Sequence, residues 1–225
     1  MMLENMILEN VKNMPPSGIR KYFDMVHEME GVISLGVGEP DFVTPWNVRE
    51  AGIYSLEKGH THYSSNAGFL ELRYEISRYL YRRFNLSYHP ENEILVTVGG
   101  SEGIDLALRA LVGPGDEVII PEPSFVAYKG CTTFTGATPK VIELKAENEF
   151  KLTKEELLEA ITPKTKVLIM PFPNNPTGAI MTKEELQEIV DVLKDKEIII
   201  ISDEIYAELT YQTQHVSIAS FPEVK

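Results

Sequence analysis

The sequence predicts an α/β fold, three layers deep (αβα), built around a mostly parallel sheet. Three observations predict it. From Glu93 onward, short continuous apolar runs alternate with segments of helical periodicity. Those runs lack the polar–apolar alternation of a sheet with one wet face, so both faces should be covered. Two helices also announce themselves by capping boxes, with Thr153 three before Glu156 and Thr182 three before Glu185.

The start of the chain, up to about Arg20, reads as a loosely structured arm, because prolines and a glycine cluster in "MPPSGIR". A helix is expected from Lys21 to about Glu30, and "VISLGVGEPDF" reads as a short strand running into a turn. Thr44 and Pro45 suit the cap and first position of a helix that Gly59 stops. Leu72, Ile76, Tyr79 and Leu80 recur at helical spacing. "EILVTV" (93–98) reads as a buried strand and "EGIDLALRALV" (102–112) as a helix. "DEVIIP", "PKVIEL", "KVLIMPF" and "EIIII" read as four more strands. "SFVAYKGCTTFTG" reads as a helix ending near Gly136. The helix after Thr182 presents Leu186, Ile189, Val190 and Leu193 on one face.

Composition narrows the function classes. The chain has 225 residues, 43% apolar and 24% charged, enough for a large core. Its 21 basic and 34 acidic residues leave a net charge of -13 with no basic stripe, which argues against a nucleic-acid partner. The single cysteine, Cys131, suits a reducing cytosol and reads as a spectator thiol, since no histidine pattern accompanies it. "MMLENMILENVKN" carries acids where a signal peptide wants lysines, and no run approaches a membrane span. His27, His60, His62, His89 and His215 show no metal-like grouping, so no metal is expected.

Ligands of open parallel sheets bind beyond the carboxyl ends of the strands. Gly99-Gly100-Ser101 opens a helix there; it is either an anion site or a tight turn capped by Ser101. Phe125 and Tyr128 suit stacking on a flat ring or packing in the core. "NNPTG" is a turn. Asp203, at the end of an isoleucine run, is either a helix cap or a carboxylate awaiting a cation. Tyr206 can share its crevice, whereas Glu204 reads as a solvent-facing neighbour. "GVGEPDF" fails as a dinucleotide fingerprint, because Asp41 stands where the third glycine belongs.

Taken in order, "SLGVGEPDF", "THYSSNAG", "VTVGGSEG", "PEPSFVAY", "PNNPTGAI" and "SDEIYAELTY" resemble the N-terminal part of class I/II aminotransferases, over nearly the whole chain. The nearest likeness is to bacterial aromatic and N-acetyl-diaminopimelate types. The resemblance implies the large-domain fold of pyridoxal 5′-phosphate transferases. Residues 1–45 would form an arm and part of a small domain, and residues 46–225 the first portion of the large domain. It implies that Gly99, Gly100 and Ser101 bind the cofactor phosphate, that Phe125 stacks on its ring, and that Asn175 and Tyr206 bind its ring oxygen. Asp203 would pair with the ring nitrogen and keep it protonated, which is what makes the ring an electron sink. Tyr63 would reach the phosphate of a neighbouring subunit in a homodimer, and Ile19, Gly38 and Asn175 would line the substrate pocket. The substrates would be an L-amino acid and a 2-oxo acid, in a cytoplasmic enzyme. The family's Schiff-base lysine would lie past residue 225, so this stretch alone is expected to be inactive. Two central strands between 93–98 and 197–201 are likewise expected to be missing, leaving unpaired edges. A C–S β-lyase of the same fold and a non-catalytic cofactor-sensing module are the competing readings.

Overall fold

The computed structural model describes residues 6–15, 31, 33, 42–211 and 213–224. The expected helix at 21–30, nearly all of the 32–42 strand and turn, and the candidate residues Ile19 and Gly38 lie outside them. The chain divides into two compact units. One joins Met1–Met14 to Leu70–Lys225, and the other is Pro15–Phe69.

In the smaller unit, helix α2 (Trp46–Glu57) follows Pro45, which occupies the capping position itself; Thr44 does not cap it. Proline needs no N–H partner at a helix start, so the expected cap shifts by one residue. The chain leaves α2 through Gly59 at φ +73°, a conformation open to glycine.

In the larger unit, the arm is less loose than expected. A single helical turn, α1 (Glu9–Lys12), carries Asn10, whose side-chain amide donates to the Thr133 carbonyl at 2.9 Å. Helix α3 (Leu70–Phe84) buries Arg73, whose guanidinium donates to the carbonyls of Pro90 and Glu91 at 2.9 and 3.0 Å. That pair of bonds, both from one terminal nitrogen, meets part of a buried charge with backbone oxygens and ties the following loop down, while Nε stays without a partner among the described residues. Then come α4 (Gly100–Leu111), β1 (Glu117–Glu122), α5 (Ala127–Thr135), β2 (Thr138–Glu143), α6 (Lys154–Ala160), β3 (Thr165–Met170), α7 (Lys183–Leu193) and β4 (Ile199–Ser202). Both predicted capping boxes form, with Thr153 and Thr182 each bonded reciprocally to the glutamate three residues on.

The sheet is parallel throughout, in the order β2-β1-β3-β4. Alternate strand residues enter two separate cores. Val118, Ile120, Val167 and Ile169 pack with Ile104 and Leu108 of α4 and Tyr128 of α5. Ile119, Leu168 and Met170 pack with Leu157 of α6 and Leu186, Ile189 and Val190 of α7. The period-2 geometry of a strand thus builds the αβα sandwich from continuous apolar runs.

One expected strand does not form. Residues 93–98 pair with no strand among the described residues, and Leu95 and Val98 are 56% and 91% exposed. Apolar patterning makes a segment fit for a sheet, but a strand exists only where a neighbour accepts its hydrogen bonds. The free edge of β4 instead borders a hollow of about 850 Å³ lined by Leu86, Tyr88, Glu93 and Ile198–Ile200.

Two substitutions test the layer built from α6 and α7. Ile189 is completely buried, so Ile189→Ala should cost about 2–5 kcal/mol. Thr153→Ala, which removes a cap, should cost about 1 kcal/mol. Urea midpoints at unchanged slope would measure both, and equal costs would contradict the packing described.

Candidate active site

The strand order reverses between β1 and β3: β2 lies on one side of β1, while β3 and β4 run out on the other. Crevices beyond the carboxyl ends of parallel strands open at such a point. A cavity of about 520 Å³ opens there, in the range of small-molecule sites. Its walls are the loops after β1, β3 and β4 and the start of α4.

Helix α4 begins at Gly100, with Gly99 at φ +81° and ψ 164° before it. Side chains avoid that conformation, so glycine is required there. No side chain caps the helix. Ser101 therefore sits inside the first turn and is not the cap. Thr97 and Glu102 brace the turn, Thr97 Oγ1 donating to the Gly99 carbonyl at 2.9 Å and Glu102 accepting from Val98 N–H. The first amides of α4 and its dipole are left for an anion, and a β-carbon built on Gly99 or Gly100 would meet nothing within 4 Å.

Phe125, after β1, lines the cavity and meets Tyr128 edge to face, with ring centroids 5.7 Å apart. Asn175, after β3, lines it from the turn predicted for "NNPTG". Gly178 N–H donates to the Asn174 carbonyl and Asn174 N–H to the Ala179 carbonyl, at 2.8 and 2.9 Å, closing that turn. Asp203 and Tyr206, after β4, line it from a third side. Seven of the sequence-predicted residues, Gly99 to Ser101, Phe125, Asn175, Asp203 and Tyr206, thus gather around one hollow or at its rim. Tyr63 belongs to the other compact unit, where its side chain is fully exposed.

Asp203 does not cap a helix. Its Oδ1 accepts from Ile205 N–H at 3.2 Å, and its Oδ2 accepts from the Tyr128 hydroxyl at 2.7 Å. Tyr128 is 2% exposed. Burial raises its hydroxyl far above the ordinary tyrosine value, and the hydrogen bond to Asp203 and the charge there raise it further, so Tyr128 stays a donor. The reading of Tyr128 as a ring to stack or pack missed this hydroxyl contact. Nothing in spacing alone reveals it, because 75 residues separate the partners.

Glu204 overturns the expectation that it faces solvent. Its side chain is 19% exposed and accepts from Ser202 Oγ at 2.7 Å and Ser217 Oγ at 2.8 Å, with His215 Nε2 at 2.9 Å. The strand period explains it: successive residues leave β4 toward opposite layers, so Glu204 finds its partners on the side of Met170, Phe172 and Leu186 although it also borders the cavity that Asp203 lines. No group of histidines, cysteines and acids suited to a metal occurs among the described residues. Burial pushes the Cys131 thiol up, with the Asp105 charge adding to the effect, and a thiol held protonated is a poor nucleophile.

The family model for aminotransferase class I and II matches residues 30–224. The chain belongs to this family. YugH of Bacillus subtilis (strain 168), named as an aminotransferase, is 55% identical over 215 residues, covering 96% of this chain and 56% of YugH. A second protein of that strain, named as an N-acetyl-LL-diaminopimelate aminotransferase, is 40% identical over 219 residues, covering 97% of this chain and 56% of its own length. The crystal structure of an aromatic aminotransferase from Pyrococcus horikoshii OT3 superposes with a TM-score of 0.84 at 40% identity, over 90% of this chain and 54% of that one. The chain therefore spans about half the length of the relatives it matches.

Aminotransferases of this family depend on pyridoxal 5′-phosphate. The residues present fit that group on their own chemistry. Open amides at a helix start suit a phosphate, Phe125 suits a flat ring, Asn175 and Tyr206 offer donors to a ring oxygen, and Asp203 suits a ring nitrogen that carries a proton. No lysine lines the cavity among the described residues.

The Glu204 network has a pH signature. Burial alone would raise its carboxyl, but hydrogen bonds from His215, Ser202 and Ser217, with the His215 charge, outweigh burial and hold it low. A carboxyl held low in the folded chain stabilises it above the unfolded value of about 4.3 and ceases to as pH falls through the lower folded value. The unfolding free energy of the chain minus that of Glu204→Gln, from urea titrations, should therefore shrink as pH drops below about 4. A difference that grows over that window would contradict the network.

Proposed function

We propose that the protein to which this chain belongs transfers the amino group of an L-amino acid to a 2-oxo acid, using pyridoxal 5′-phosphate held in the cavity described. The observation that carries the reading is the carboxyl of Asp203, braced by the buried Tyr128 hydroxyl and set across a cavity from the uncapped start of α4. The cofactor supplies a ring that draws electrons from the amino acid once its ring nitrogen is protonated. Asp203 would hold that proton in place: a carboxylate beside the nitrogen would make loss of the proton costly, because the acid would be left without a cation. Tyr128 keeps the acid from turning away. The amides of Gly100 and Ser101 would hold the phosphate, and Phe125 would exclude water from one face of the ring. Asn175 and Tyr206 would orient the ring oxygen, with Asn175 also beside the substrate carboxylate.

The finer points belong to the same proposal. Tyr63, exposed here, would serve a neighbouring subunit's phosphate in a homodimer. Ile19 and Gly38 would line the substrate pocket. An aromatic or acylated-diamine donor is favoured by the names of the relatives. A cytoplasmic setting rests on the single cysteine. No lysine to anchor the cofactor lines the cavity among the described residues, so the 225 residues alone should bind the cofactor reversibly without transferring amino groups.

The test has two arms. In a full-length relative carrying this segment, Asp203→Asn should retain part of the cofactor affinity and lower amino transfer to 2-oxoglutarate by about 100-fold or more. Normal turnover by that variant would sink the assignment. Release of pyruvate and ammonia from a sulfur amino acid, in place of amino transfer, would mark the β-lyase reading instead.

A further inference from the structure

We propose that Glu204 is a positioning residue, whose carboxylate, gripped by Ser202, His215 and Ser217, holds the segment that presents Asp203 and Tyr206 to the cavity. This rests on reading the cavity as a pyridoxal phosphate site.

The segment after β4 has little regular backbone support. Asp203 N–H donates to the Met170 carbonyl at 2.9 Å, which ends the sheet ladder, and Ala207 N–H donates to the Glu204 carbonyl at 2.9 Å. Between them the chain is a turn, and a turn that must place two side chains needs fixing by side-chain bonds. Glu204 supplies three, all within 2.9 Å. His215 is itself 9% exposed and meets the Phe84 ring edge on, with centroids 5.6 Å apart. Phe84 in turn meets Tyr79 at 5.8 Å. Tyr79 Oη donates to Glu208 at 2.8 Å, and Arg83 Nε donates to the same carboxylate at 2.7 Å.

Glu208 lies two residues past Tyr206, and Glu204 lies one past Asp203. One acid thus lies between Asp203 and Tyr206 and one just beyond them, the first tied to residues 215–217 and the second to α3. His215 and Ser217 do not border the cavity, so their effect on it passes through Glu204, which borders it beside Asp203 and Tyr206. A buried carboxylate with three partners is costly to disturb, since losing the charge leaves its donors unmatched.

Hydrogen exchange and cofactor titration on the 225-residue chain test this. Glu204→Gln should speed amide exchange across Asp203–Tyr206 about tenfold while leaving β1 amides unchanged. It should weaken pyridoxal phosphate binding by about tenfold and shift the absorption band of the bound cofactor. His215→Gln should move every readout in the same direction, and it carries the test if Glu204→Gln does not fold. Unchanged exchange at 203–206, an equal rise in β1, or an unaltered affinity and spectrum would each overturn the proposal. If the unsubstituted chain binds no pyridoxal phosphate, the reading of the cavity fails, while the exchange data still decide whether Glu204 holds the segment.

Discussion

The hydrogen bond from Tyr128 to Asp203 is the contact on which the arrangement turns. It joins the helix after β1 to the loop after β4, across the point where the strand order reverses. β4 is a half-exposed edge strand, and a carboxyl at its end would otherwise swing toward water. Here a hydroxyl from the opposite wall meets it, and that hydroxyl is buried in the core shared by α4 and α5. The position of the acid is thus set by packing: the same Val118, Ile120 and Ile169 that build one face of the sheet seat the tyrosine that holds it.

Much of this was legible in the sequence. Thr153 and Thr182 announced their helices because a capping box is a local device, complete within four residues. Leu186, Ile189, Val190 and Leu193 announced a buried face because helical periodicity is local too. The site residues from Gly99 to Tyr206 could be collected because each comes just after a strand or apolar run, and parallel strands end on one side. What was not legible depends on partners far along the chain. Residues 93–98 have the composition of a strand, yet no neighbour bonds to them among the described residues. Glu204 looked like a solvated acid beside a functional one, and only the return of the chain at His215 and Ser217 makes it a buried acceptor.

The acidic pair shows how one strand end serves two layers. Asp203 belongs with Tyr128 and the α4–α5 side. Ser202 and Glu204 border a small crevice with Met170, Phe172 and Leu186, which belong to the α6–α7 side. Both acids border the main cavity, but the pleat of the strand gives neighbours in sequence different hydrogen-bond partners. Sequence spacing identified the pair, but burial on each side decided what each acid does.

The opening turn of α4 carries a lesson of another kind. Gly99 adopts a shape closed to every other residue, and the hollow beside it has room to spare for a methyl group. Alanine at that point would be excluded by torsion and not by crowding. A search for tolerated replacements guided by available space would approve it, whereas one guided by dihedral angles would reject it. Homologous chains that lose this glycine should have rebuilt the loop, not merely filled it.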